Sequence, residues 1–141
     1  MKKAAVIYWS GTGNTEAMAN AVAAGINKAG SEVDMYTAGE FSDDKVASYD
    51  EIAFGCPSMG VEQLEETEME PMFTACETKL AGKKVALFGS YGWGDGEWMR
   101  NWEDRCAAVG AKLVCGGVIC GGEPDADKLA ECEELGVKLV K

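Results

Sequence analysis

The chain alternates between short apolar runs and segments in which apolar residues recur every three or four positions. The first run, residues 4–9, contains β-branched and aromatic residues without polar alternation, which predicts a strand buried on both faces. Met18, Val22 and Ile26 then recur at four-residue spacing, which predicts a helix over 15–29 that ends at Gly30. The same reasoning predicts strands over 33–37, 52–56, 84–89 and 113–120, and helical segments over 43–48, 67–78, 97–109 and 125–140.

Five predicted strands, each followed by a helix or helical turn, indicate parallel βαβ units with right-handed crossovers. Gly116 and Gly117 interrupt the fifth strand. Of the two common doubly wound strand orders, 2-1-3-4-5 fits one five-stranded chain of this size best. We therefore expect an α/β fold in which residues 1–141 form one domain, with a doubly wound parallel sheet and helices on both faces. In that order the ends of strands 1, 3 and 4 adjoin the switch point where ligands bind.

Composition excludes several kinds of function. The chain has no histidine, which removes Ser-His-Asp and Cys-His catalysis and histidine metal ligands. A net charge of −11 argues against nucleic acid as a partner and favours a protein with a basic surface. Six cysteines lack C-x-x-C spacing, so we expect buried thiols rather than a metal or dithiol site. Without a long apolar run or a signal-peptide pattern, we expect a cytoplasmic protein that binds no membrane.

The loop after the first strand has the composition of a phosphate-binding loop. Two glycines and several hydroxyl and amide side chains precede a helix, whose N–H groups and dipole favour an anion. No lysine follows the glycines and G-x-G-x-x-G is absent, which excludes a nucleoside-triphosphate loop and the dinucleotide fingerprint. The loop suits a terminal phosphate monoester held without metal; simple helix capping is the alternative. Its residues are Ser10, Gly11, Thr12, Gly13, Asn14 and Thr15.

The loops after strands 3 and 4 indicate a site for a planar ring. Tyr91 and Trp93 lie among glycines, and exposed aromatics there favour stacking on a flat partner. Met59 offers a polarizable surface for the opposite face of that partner. Core packing or a protein contact is the alternative for both aromatics. Trp98 and Trp102 have helical spacing and are predicted to lie in the core.

Three motifs in order resemble the flavodoxin family, in its short-chain clostridial form, over essentially the whole chain. They are Tyr-Trp-Ser-Gly-Thr-Gly-Asn-Thr-Glu at 8–16, Met-Gly at 59–60 and Gly-Ser-Tyr-Gly-Trp-Gly at 89–94. The resemblance implies a flavodoxin-like fold and tight, non-covalent FMN that carries single electrons between redox proteins. The cofactor-binding residues it implies, together with the three loops, are Ser10, Gly11, Thr12, Gly13, Asn14, Thr15, Pro57, Ser58, Met59, Gly60, Val61, Glu62, Ser90, Tyr91, Gly92, Trp93 and Gly94.

The resemblance also implies individual roles for some of these residues. The first loop contacts the phosphate, Trp93 stacks on the outer face of the ring, and Met59 lies on the inner face. Gly60 lies beside flavin N5, and its peptide flips on reduction. Glu62 accepts from N3, whereas Gly92, Trp93 and Gly94 donate at the N1 and O2 edge.

Four positions depart from the family pattern. Clostridial members can carry serine where Pro57 stands, so one hydroxyl contact to the phosphate is missing. Val61 replaces a polar residue, and a β-branched side chain disfavours a positive φ in that turn. Gly121 and Gly122 replace larger polar residues near the ring edge.

Charge suggests how the redox poise is set. Eight acidic residues and no basic ones lie between positions 50 and 77, and Asp95 and Glu97 flank the third loop. A doubly reduced, anionic flavin among carboxylates is disfavoured, which predicts a low potential for the semiquinone/hydroquinone couple. The alternative is a solvated acidic face that only aids solubility.

Two other functions are possible on this fold. An FMN-dependent NAD(P)H-quinone reductase needs room for a nicotinamide and is usually larger and dimeric, whereas we expect a monomeric carrier. A phospho-receiver module needs acidic residues after strands 1 and 3, where this chain has Ser10, Cys56 and Pro57. We expect no catalytic residue and no metal ligand.

Overall fold

The computed structural model describes residues 3–11, 13–59, 63–92, 94 and 96–141. The strands are β1 (Lys3–Tyr8), β2 (Glu32–Thr37), β3 (Glu51–Gly55), β4 (Lys84–Tyr91), β5 (Lys112–Leu113) and β6 (Val118–Gly121). The α-helices are α1 (Asn14–Lys28), α2 (Met69–Glu77), α3 (Glu97–Ala108) and α4 (Ala126–Val140), and two 3-10 helices, Ala38–Glu40 and Asp43–Ser48, follow β2. Within these ranges, none of the helices combines the length and apolar character needed to span a membrane.

The strands form one parallel sheet in the order β2-β1-β3-β4-β5, with β6 also paired to β4. β5 and β6 are the two halves of the predicted fifth strand. Val85 pairs with Leu113 but Phe88 pairs with Val118, so the register advances by two residues between the halves. The predicted doubly wound α/β fold and its strand order are confirmed.

Each face of the sheet is covered by a pair of helices. Ala5 and Ile7 of β1 belong to a core cluster shared with α2 and α3, whereas Ala4 and Val6 belong to one shared with α1 and α4. All four residues are fully buried. This agrees with the prediction that the first apolar run is buried on both faces.

Glycines at the contact between α1 and α4 let the two backbones approach closely. A Cβ on Gly25 would lie 1.9 Å from Glu133 O, and one on Gly136 would lie 2.1 Å from Val22 O. Because α4 packs directly on α1, the N-terminus of α1 is held at the carboxyl edge of the sheet.

β4 extends two residues beyond its predicted end at Gly89. Ser90 and Tyr91 continue the strand because they pair with Cys120 and Gly121 of β6. Ser90 therefore reaches the carboxyl edge as part of the sheet.

The core predictions for tryptophan and cysteine are confirmed. Trp98 and Trp102 are each 1% exposed. All six cysteines are free, and all except the half-buried Cys115 are buried. Burial raises the pKa of the Cys56 and Cys106 thiols to about 12, so both are protonated at neutral pH.

Candidate functional site: a cavity at the carboxyl edge of the sheet

A cavity of about 290 Å³ opens where β1, β3 and β4 end. The loops that follow these three strands form its walls, together with the residue after β6. Its lining residues are Trp9, Gly11, Asn14, Pro57, Ser58, Met59, Ser90, Tyr91, Gly92 and Gly122. All of them except Trp9 and Gly122 belong to the predicted cofactor-binding set. The structure thus brings residues of all three predicted loops around one cavity.

The first loop folds around the hydroxyl of Ser10. Ser10 Oγ accepts hydrogen bonds from Gly13 N–H at 3.1 Å and Glu16 N–H at 3.2 Å. Gly13 has a φ of 95°, a conformation that lets the loop turn directly into α1. The Ser10 hydroxyl therefore lies at the helix N-terminus, where backbone N–H groups and the helix dipole favour an anion.

Thr15 joins the first loop to the third instead of lining the cavity. Its side chain is buried, and Thr15 Oγ1 lies 3.0 Å from Ser90 Oγ. Either hydroxyl can be the donor in this pair. Because Ser90 lines the cavity, the pair holds the start of α1 against the end of β4.

Backbone hydrogen bonds position the second loop. Ser58 N–H donates to Ser90 O at 2.9 Å, which continues the β3–β4 ladder into the loop. Met59 and Gln63 exchange two backbone hydrogen bonds of 2.9 Å, each donating its N–H to the other's carbonyl. The Met59 side chain is therefore held at the cavity wall by a short antiparallel pair.

A buried carboxylate anchors the end of the second loop. Glu65 is 5% exposed and accepts from the N–H groups of Thr67, Glu68 and Met69, at 2.8 to 3.1 Å, and from the Thr67 hydroxyl. Burial alone would raise the pKa of Glu65, but these hydrogen bonds outweigh it and lower the pKa. Since Glu65 caps the N–H groups before Met69, α2 begins there and not at the predicted Thr67.

Replacing Glu65 with alanine is expected to lower the free energy of unfolding by about 2 kcal/mol, since buried donors lose their acceptor. Urea unfolding at pH 7 measures this, with Glu66→Ala as a control that removes the same charge from an exposed neighbour. Equal losses in the two variants would contradict the capping role. Because the folded-state pKa is lowered, the advantage of wild type over Glu65→Gln should disappear as pH falls through that value.

The third loop places Tyr91 in the cavity lining, where neighbouring residues pack against its ring. The Tyr91 ring lies 5.7 Å from Trp98, centroid to centroid, and within 3.5 Å of the position a Gly121 Cβ would take. Trp98 Nε1–H donates to Cys56 O at 3.1 Å, which ties α3 to the end of β3. Gly94 is exposed and lies outside the lining of the cavity.

Several predicted residues lie outside the described residues: Thr12, Gly60, Val61, Glu62 and Trp93. Their implied contacts with phosphate, ring face, N5 and N3 remain predictions. Two of the positions that depart from the family pattern line the cavity. They are Pro57 and Gly122, and the backbone of Gly122 has a φ of 83°.

Trp9 and Gly122 line the cavity but are outside the predicted cofactor-binding set, although Gly122 is expected near the ring edge. The apolar pattern predicts that Trp9 ends the first strand; a large aromatic residue directly before a glycine loop at a strand's carboxyl end is the signal that indicates a cavity residue. Gly122 N–H donates to Tyr91 O at 2.9 Å, a contact between chain segments that sequence spacing cannot reveal.

The acidic run between positions 50 and 77 is divided among several places. Glu70 and Glu77 both pair with Arg105, at 2.8 and 2.9 Å, and Asp50 and Glu51 lie at the amino end of β3, opposite the cavity. Glu68 is different, because it lines a second cavity of about 350 Å³ next to the first loop. Among the described acidic residues of the run, only Glu68 lines either cavity.

The two ends of the site have complementary chemistry. At the helix end, Gly11 and Asn14 line the cavity of about 290 Å³, whereas the Ser10 hydroxyl lines the adjacent cavity of about 350 Å³. The other walls of the first cavity include Met59, Pro57 and two aromatic rings, which suit an apolar, planar body. Neither lining contains lysine or arginine among the residues that the structure describes. The residues present fit a flavin whose phosphate is bound by backbone and hydroxyl groups.

Comparisons with known proteins agree with this geometry. The family model described as Flavodoxin matches residues 6–136. The flavodoxin of Megasphaera elsdenii is 49% identical over 136 residues, covering 96% of this chain and 97% of its own. The flavodoxin of Clostridium beijerinckii is 46% identical, covering 95% and 96%.

A solved structure gives the same result for the fold. The solution structure of two-electron reduced Megasphaera elsdenii flavodoxin superimposes with a TM-score of 0.89 at 48% identity, covering 96% of this chain and 97% of that one. The chain therefore belongs to the flavodoxin family, as a short-chain member of the clostridial type.

Proposed function

We propose that this flavodoxin binds one FMN non-covalently and carries single electrons at low potential, mainly between the semiquinone and hydroquinone states. The proposal rests on the cavity of about 290 Å³, which has Gly11 and Asn14 at the start of α1 on one side and apolar walls on the other. The Ser10 hydroxyl lies next to it, in the lining of the adjacent cavity. FMN has both the terminal phosphate and the planar ring that these two ends accept. When bound, FMN supplies the electron-accepting chemistry that the side chains lack.

The charge around the cavity supports a low potential. No described lysine or arginine lines either cavity, whereas Glu16 and Glu68 line the second one. An added negative charge on the ring would therefore meet no cation among the described lining residues, and the apolar wall would stabilise it little. A tenfold preference against the fully reduced state lowers a one-electron potential by about 59 mV.

Anaerobic redox titration of the FMN-loaded protein tests this poise. We expect two one-electron couples separated by more than about 120 mV, which corresponds to a hundredfold stabilisation of the intermediate state. Glu16→Gln removes a carboxylate beside the first loop and should raise the lower potential. Asp50→Asn removes the same charge at the opposite edge of the sheet and should leave it unchanged. Coinciding couples, or equal shifts in both variants, would contradict the proposal.

We further propose that the partners are redox proteins with basic surfaces and that the carrier works as a monomer in the cytoplasm. The net charge of −11 would steer such partners over distances comparable to the Debye length. Electron transfer to a basic partner should then slow as ionic strength rises, as stopped-flow absorbance can show. A rate independent of salt would refute charge steering.

A carrier should not oxidise reduced nicotinamide by itself. The isolated, FMN-loaded protein is expected to consume NADPH at a negligible rate until a reductase is added. Rapid turnover with NADPH and a quinone alone would favour the reductase alternative.

A further inference from the structure

Trp9 links the first loop to the start of α2. Its backbone N–H donates to Gly55 O at 3.0 Å, which extends the β1–β3 ladder beyond Tyr8. Its indole lies against Gly11, where a Cβ would be 3.2 Å from the ring, closer than ordinary van der Waals contact. Its Nε1–H donates to Glu68 Oε1 at 3.1 Å. The indole is therefore fixed between a glycine of the first loop and a carboxylate just before α2.

The backbone of Glu68 is fixed by neighbouring groups, whereas its side chain is exposed. Its N–H donates to the buried Glu65 carboxylate at 2.8 Å, and its carbonyl accepts from Met72 N–H at 3.1 Å. Its Oε2 occupies the space above Gly39, where a Cβ would lie only 2.4 Å away. The Glu68 carboxylate can thus take this position because residue 39 has no side chain.

Together these contacts separate two compartments at the carboxyl edge. Trp9 and Gly11 line both the 290 Å³ cavity and the adjacent 350 Å³ cavity, so these two residues lie between the cavities. Glu68 lines only the adjacent one. A carboxylate outside the 290 Å³ cavity therefore accepts a hydrogen bond from the indole that lies against the first loop.

We infer that Trp9, held by Glu68, is a positioning residue that keeps the first loop in its phosphate-accepting form. The Trp9–Glu68 pair thereby sets the preference for the phosphorylated flavin over riboflavin. This inference rests on the proposed FMN function. The indole pressed on Gly11 fixes the backbone that precedes α1, and a loop ordered before binding loses less entropy when the phosphate arrives. Riboflavin, which lacks the phosphate, gains nothing from that order.

Gly39→Ala tests the inference without changing any residue that lines the cavity. The new Cβ would displace the flexible end of Glu68 and remove the acceptor from Trp9, at little cost to folding. Gly39 has no positive φ, so alanine adds no backbone strain there. We expect the dissociation constant for FMN to rise about fivefold, the effect of about one hydrogen bond. The dissociation constant for riboflavin should stay within about twofold.

Variants at Glu68 and Trp9 provide the matched comparisons. Glu68→Gln keeps a side-chain carbonyl acceptor and should retain the wild-type ratio of the two affinities, whereas Glu68→Ala should reproduce Gly39→Ala. Combining Gly39→Ala with Trp9→Phe should lower FMN affinity no further than Trp9→Phe alone, because both remove the same hydrogen bond.

Trp102→Phe is the control, since its Nε1 has no partner among the described residues and it lies in the core. It should lower the thermal midpoint and leave the ratio unchanged.

Quenching of flavin fluorescence gives both affinities, and the ³¹P resonance of bound FMN reports the phosphate environment directly. We expect that resonance to move in Gly39→Ala and to stay in place in Glu68→Gln and Trp102→Phe. If Gly39→Ala leaves both affinities unchanged, or weakens FMN and riboflavin equally, the inference is overturned while the proposed function stands. If wild type binds neither flavin, the proposed function itself fails.

Discussion

Replacing Gly89 with alanine is expected to lower the free energy of unfolding of the flavin-free chain by about 4 kcal/mol, through overpacking and a broken buried hydrogen bond. A Cβ at this position would lie 2.1 Å from Cys56 O and 3.1 Å from the Trp98 ring. Since Cys56 O accepts the Trp98 indole N–H, the side chain would separate β3 from β4 and leave that donor unpaired. The displacement occurs directly beneath Pro57 and Ser58, so FMN affinity should also fall more than tenfold.

Gly92→Ala is the matched control for the effect on stability. Gly92 lies three residues further along, has no positive φ, and has nothing within 4 Å of the position its Cβ would take. Urea unfolding of the flavin-free variants should show Gly92→Ala within about 0.5 kcal/mol of wild type. Similar losses in the two variants would show that the close approach to Cys56 is not what requires glycine at position 89.

Ser10→Ala should weaken FMN binding about 100-fold and leave riboflavin binding nearly unchanged. The hydroxyl organises the loop by accepting from Gly13 N–H and Glu16 N–H, and it lies where the phosphate is expected. A hydrogen bond to a charged group contributes about 1.5–3 kcal/mol, and about 1.4 kcal/mol corresponds to tenfold in affinity. Isothermal titration with each flavin measures the two constants.

Ser31→Ala, beyond the other end of α1, controls for the loss of a serine hydroxyl. It should change neither affinity. If Ser10→Ala weakened riboflavin as strongly as FMN, the first loop would not be the phosphate site.

Local patterns in the sequence were sufficient to predict the elements that position the cavity. The uninterrupted apolar run of β1 and the four-residue spacing of Met18, Val22 and Ile26 reflect burial against neighbours that any doubly wound fold supplies. The glycine pair at 116–117 likewise predicted the break in the fifth strand. These features depend on residues close together in the chain, so their periodicity is informative.

Contacts between distant segments were not predictable from the same patterns. Glycine is needed at position 89 because β4 pairs closely with β3 there. The hydrogen bond from Trp9 to Glu68 forms because the fold brings the residue before α2 next to the residue after β1. The acidic run shows the same difficulty, because Arg105 neutralises Glu70 and Glu77 from another helix. Spacing along the chain carries no information about such pairs.

Titration of the flavin-free chain with FMN, followed by quenching of flavin fluorescence and paired with a riboflavin titration, tests the central claim most directly. We expect one FMN per chain, bound at least about tenfold more tightly than riboflavin, since the helix end of the cavity favours the phosphorylated ligand. A chain that binds no FMN, or that binds the two flavins equally well, would contradict it.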